Sequence, residues 1–129
     1  MKRLLLFTLL LWPSLALFAD DLTPPEDHHI SVKIRHEKDS PGRAYAVYMP
    51  LPAYPSEMLR VRIDGQAELT FLVTQDGSVT DIKVASATQR EFSDPAKEAI
   101  SRWRFRLKED LPAPAKMRCW IIFKMEDER

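Results

Sequence analysis

The stretch Gly65–Val84, GQAELTFLVT followed by QDGS and VTDIKV, reads as two strands joined by a tight turn. Ala67, Leu69, Phe71 and Val73 alternate with Gln66, Glu68, Thr70 and Thr74, the period of two that gives a strand one buried face. Leu72 interrupts the polar row, so the second face is not expected to be wholly bare. Asp76-Gly77 is a strong hairpin signal, because glycine accepts the positive φ that a primed two-residue turn requires. Thr80, Ile82 and Val84 then alternate with Asp81 and Lys83. A lone hairpin is marginal in water, and the flanking sequence supplies the elements to cover it.

Downstream, Asp94-Pro95 predicts a helix start, with Asp94 at the N-cap and Pro95 in the first turn. Ala96, Ala99, Ile100 and Trp103 follow at i, i+3, i+4 and i+7, one apolar stripe to lay on a sheet. Lys108–Pro114 reads as a loop. Lys116–Met125 predicts a last strand, with Met117, Cys119, Ile121, Phe123 and Met125 on the core face. Arg118, Trp120, Ile122 and Lys124 fall on the other. Trp120 and Ile122 are unexpected on a face meeting water; they either lie under an N-terminal segment or form a patch for a partner.

Upstream, Pro50–Pro55 is extended, since each proline pushes its predecessor out of the helical region. Ser56 is expected to cap a short helix that turns Met58 and Leu59 inward. Ile30, Val32 and Ile34 alternate with Ser31, Lys33 and Arg35, and Glu37–Arg43 has turn composition. Ala44–Met49 reads as a returning strand with exposed tyrosines, making an extra N-terminal hairpin with the first run, or as an extended segment lying on the domain.

Residues 1–19 have the pattern of an export signal: Lys2 and Arg3, the apolar run Leu4–Trp12, and Ala19 before Asp20-Asp21. Retained, the same segment would be a membrane anchor, although 16 residues interrupted by Pro13 fall short of the ~20 needed to span hydrocarbon. Asp20–His29 (DDLTPPEDHH) reads as a linker. The division expected is therefore a signal over 1–19, a linker and hairpin region over 20–50, and a folded domain over 51–129.

The full sequence has 19 basic and 19 acidic side chains among 129 residues. Without Lys2 and Arg3 the balance is 17 against 19, which gives no field to attract nucleic acid. Cys119 is the lone cysteine and cannot form an internal disulfide; its place in an apolar run marks it as core. His28, His29 and His36 lack the spacing and companions of a metal site. No Gly-rich phosphate loop, G-x-S-x-G elbow or H-E-x-x-H motif is present, so neither a cofactor nor an enzymatic activity is indicated.

Tyr54-Pro55, Ile63-Asp64-Gly65, Asp76-Gly77, Val84-Ala85-Ser86, Phe92, Trp103-Arg104-Phe105 and Ile122-Phe123-Lys124 occur in an order that resembles the TonB C-terminal domain over about Leu51–Met125. The resemblance implies an α+β fold, a small three-stranded antiparallel sheet packed by two helices in the order αββαβ. It also implies a periplasmic protein-binding module, with an inner-membrane-anchored transducer component as the alternative. In that family an extended segment of an outer-membrane receptor, the TonB box, adds beside the last strand by main-chain pairing. Carried onto this chain, the receiving edge is Lys116–Lys124, presenting Arg118, Trp120, Ile122 and Lys124, with Tyr54 and Pro55 at the family's Tyr-Pro position beside Met58. Implied partners are an outer-membrane receptor or other envelope protein and the motor-complex proteins of the wider family; a homodimer through paired edges is a third prospect. Two departures stand out. The linker of ten residues reaches only about 30 Å even as polyproline II, and Leu107 replaces a proline common in the family.

Overall fold

The computed structural model describes residues 27–126, so the expected signal and most of the expected linker lie outside the described residues. Among the described residues, six strands and two short helices follow in the order β1 (His28–His36), β2 (Ala44–Tyr48), α1 (Ser56–Arg60), β3 (Gly65–Val73), β4 (Val79–Ala87), α2 (Ser93–Ser101), β5 (Arg104–Leu107) and β6 (Ala115–Met125). A 3-10 turn, Arg90–Phe92, leads into α2. The α+β class is as expected, but the sheet has four strands in the order β1-β6-β3-β4, all antiparallel neighbours. β2 and β5 form a separate two-stranded ribbon.

The expected N-terminal hairpin does not form. β1 pairs with β6 along its whole length, from His28 opposite Met125 to His36 opposite Met117. β2 instead takes β5 as its neighbour, with Tyr45 opposite Arg106. His28 and His29 thus belong to a strand of the sheet rather than to a linker.

One face of the sheet is the core. Ala67, Leu69, Phe71 and Val73 of β3 and Met117, Cys119, Ile121 and Phe123 of β6 are buried against Phe92, Ala96, Ile100, Trp103 and Phe105. The predicted stripe of α2 is the covering surface, and each of these larger apolar side chains contributes roughly 1.5–3 kcal/mol by leaving water. Trp103 packs edge-on to Phe71 at 5.8 Å and satisfies its indole N–H on the Pro50 carbonyl at 2.9 Å. Burial pushes the Cys119 thiol up to about 12, which leaves it an inert core group.

Local signals fared unevenly. Neither helix has a side-chain cap: Pro55 rather than Ser56 is the N-cap of α1, and Asp94 sits inside the first turn of α2. The β3–β4 connection is a three-residue loop, Gln75-Asp76-Gly77, closed by Thr74 N–H to the Ser78 carbonyl and Gly77 N–H to the Thr74 carbonyl. Gly77 takes φ +88°, and a side chain there would run into the Phe105 carbonyl. Asp76 accepts hydrogen bonds from the Thr74 hydroxyl and from the Ser78 amide and hydroxyl, which lower its pKa to about 2. Those bonds select the longer loop over the two-residue turn. β4 does not alternate as expected: its register slips twice against β3, and Asp81 has φ +55°.

Candidate functional site

β6 is an interior strand. The edge expected to receive a partner, Lys116–Lys124, is hydrogen-bonded by β1. Glu37 N–H donates to the Lys116 carbonyl at one end, and Glu126 N–H donates to the Asp27 carbonyl at the other, both at 2.8 Å. These two bonds fix the phase of the ladder. Odd-numbered residues of β1 exchange bonds with β6, so the N–H and C=O of Ile30, Val32 and Ile34 point away from the sheet. Among the described residues no group bonds them. The vacant main-chain rim belongs to β1.

Side contacts pin β1 in place. Glu37 binds the Arg118 guanidinium at 3.0 Å, and Arg118 also binds Glu68 of β3, linking three strands. Those two carboxylates hold the Arg118 pKa up. Asp27 pairs with Arg62 at 2.8 Å, which lowers its own pKa, and the His28 ring meets Tyr54 edge-on at 5.2 Å. His36 accepts the Ala44 N–H at 2.8 Å; burial and the Arg43 charge lower its pKa, keeping the ring an acceptor.

The residues expected to bind a partner divide between the two faces. Tyr54 is buried, edge-on to Phe92 and Phe123, with its hydroxyl donating to the Ile63 carbonyl at 2.6 Å. Pro55 caps α1 and Met58 packs on the core, so this trio shapes the fold. Arg118, Trp120 and Ile122 are half-buried and Lys124 exposed along the open face of β6. Among the described residues, no N-terminal hairpin lies over Trp120. β1 lies beside it in the plane of the sheet, with Lys33 directly opposite and the Arg35 guanidinium 5.2 Å above the indole ring. Lys33, Gln66, Trp120 and Ile122 line a shallow depression of about 220 Å³.

Sequence reasoning missed β1 as the edge. The readable signal was the two-sided apolar character of β6, since a strand with Trp120 and Ile122 behind a buried row belongs inside a sheet. Among the described residues there is no group of His, Cys, Asp and Glu able to hold a metal ion, and no helix is long and apolar enough to cross a membrane.

An open antiparallel sheet with one helix-covered face defines a small α+β domain. Residues 50–125 match the family described as Gram-negative bacterial TonB protein C-terminal. The chain belongs to that family. It is 38% identical over 55 residues to TonB of Escherichia coli, covering 42% of this chain and 23% of that protein. To TonB of Pseudomonas aeruginosa it is 34% identical over 58 residues, or 44% and 17% of the two lengths. These two relatives are therefore matched over less than a quarter of their length. The solution structure of the Pseudomonas aeruginosa TonB C-terminal domain superposes with a TM-score of 0.58 at 26% identity, covering 74% of this chain and 98% of that one. β1 and β2 precede the family-matched region, which begins at residue 50.

Proposed function

We propose that this chain is a periplasmic binding module that adds an extended segment of an outer-membrane receptor, or of another envelope protein, to its sheet in support of TonB-type transport. The work is recognition, with no covalent step. The carrying observation is the rim of β1, where Ile30, Val32 and Ile34 offer their N–H and C=O groups in a regular row. Strand addition uses that feature: main-chain bonds supply affinity and alternate side chains supply register. About six such bonds, each worth about 1 kcal/mol net, act against the cost of ordering the segment. Affinity in the micromolar to millimolar range follows. Of the residues assigned from the family resemblance, Trp120 and Ile122 lie on the open face of β6, one strand in from that rim, and share a shallow depression with Lys33 of β1.

Titration of isotope-labelled protein with synthetic peptides from receptor N-terminal segments tests this reading. The amide resonances of Ile30, Val32 and Ile34 should shift together. Loss of protection at Ser31, Lys33 and Arg35 instead would mean that the segment displaces β1 and takes β6, and no shift with any peptide would refute binding at this sheet.

A further inference from the structure

Resting on that binding reading, we infer that the β1 rim selects an extended segment that carries acidic side chains at alternate positions, with apolar ones between. The basis is the uneven neutralisation of the open face. Lys116 lies 2.8 Å from Asp39, Arg118 holds Glu37 and Glu68, and Lys124 lies 3.5 Å from Asp64. Every basic side chain that β6 places there has a carboxylate. On β1 the outward row is His29, Ser31, Lys33 and Arg35, without an acid among them. Lys33 makes no ion pair and Arg35 only stacks on Trp120, counting all described residues.

Geometry brings an added strand to these two cations. The residues of β1 whose main-chain groups face outward are the even ones, so Ser31, Lys33 and Arg35 occupy the non-hydrogen-bonded positions against an antiparallel newcomer. Facing side chains approach most closely there. On the opposite face the newcomer's apolar residues would sit beside Ile30, Val32 and Ile34, which already pack against the core. A second copy of this chain is a poorer occupant, because full-register antiparallel pairing of β1 with itself sets Arg35 opposite His29 and brings the two Lys33 side chains together on the diagonal, with no acid in the row to balance them. One pattern of charge therefore discourages self-pairing and favours an acidic foreign segment.

The experiment uses three synthetic seven-residue peptides in which valine alternates with glutamate, glutamine or lysine. The glutamate peptide should shift the Ile30, Val32 and Ile34 amides. The glutamine peptide should bind about threefold to tenfold more weakly, given two lost opposite-charge pairs, and the lysine peptide more weakly still. A Lys33→Glu, Arg35→Glu double variant should invert the ranking. Lys33→Gln, which keeps the contact of Arg35 with Trp120, should narrow the ranking without affecting the fold. Equal affinities with the same amides shifted would overturn the acidic preference while leaving strand addition standing. Silence from these peptides and from the receptor peptides alike would remove the binding reading itself. Concentration-dependent dimers that shift the same amides without peptide would overturn the inference in favour of a second copy.

Discussion

The two outer strands of the sheet are edges of opposite character. β4 slips register at Glu68/Leu69 and again at Thr70/Leu72, carries Asp81 at positive φ, and is packed by α2. Bulges twist an edge away from a straight partner and leave its donors and acceptors out of step. β1 runs nine residues without a slip and is fastened at both ends, by Asp27 with Arg62 and by Glu37 with Arg118. The difference teaches that one rim is distorted by bulges while the other keeps its register throughout and, among the described residues, bonds no further neighbour. Fastening also argues against β1 as a loose cover over β6: releasing it would break the Arg118 link across three strands and uncover Ile30, Val32 and Ile34.

The sharpest way to break the contrast is proline along β1. Lys33→Pro removes a donor to β6 and should cost about 3 kcal/mol in a denaturant melt. Val32→Pro removes a donor that faces outward, and should cost only about 1–2 kcal/mol of packing while impairing peptide addition. Equal losses of stability would mean that the phase of the ladder is wrong. At the β4 end, Gly77→Ala forces a side chain into positive φ and against the Phe105 carbonyl, so a loss of about 2 kcal/mol is expected. That variant should leave β1 binding intact.

Smallest is the acid limb. Asp76 has its pKa depressed in the folded chain, so its contribution is full above the ordinary carboxylate value of 3.8 and fades as the pH falls toward about 2. Asp76→Asn should flatten the fall of melting temperature across that window. An unchanged slope would show that the loop bonds do not govern the titration.

Faces were legible in the sequence; neighbours were not. The period of two placed Leu69, Phe71, Cys119 and Phe123 correctly in the core, and the spacing of Ala96, Ala99 and Ile100 gave the buried stripe of α2, with Trp103 buried just past the helix end. Alternation in Ile30, Val32 and Ile34 marks a strand equally well beside β2 or beside β6, because period says which way side chains point and nothing about which chain accepts the bonds. The Glu37–Arg118–Glu68 link joins residues 81 and 50 positions apart, a separation no local pattern encodes. Asp-Gly announced a turn, while the three bonds to Asp76 decided its length. The candidate site moved by one strand for that reason. The family's residues on β6 remained in view, but the rim belonged to its neighbour.

Amide hydrogen exchange along His28–His36 tests the central claim directly. Slow exchange at Ser31, Lys33 and Arg35 alternating with fast exchange at Ile30, Val32 and Ile34, the fast set slowing when peptide is added, is the pattern a fastened strand with an open rim must give. Uniformly fast exchange would show β1 detached and β6 free, and uniformly slow exchange in the unbound protein would show the rim already occupied.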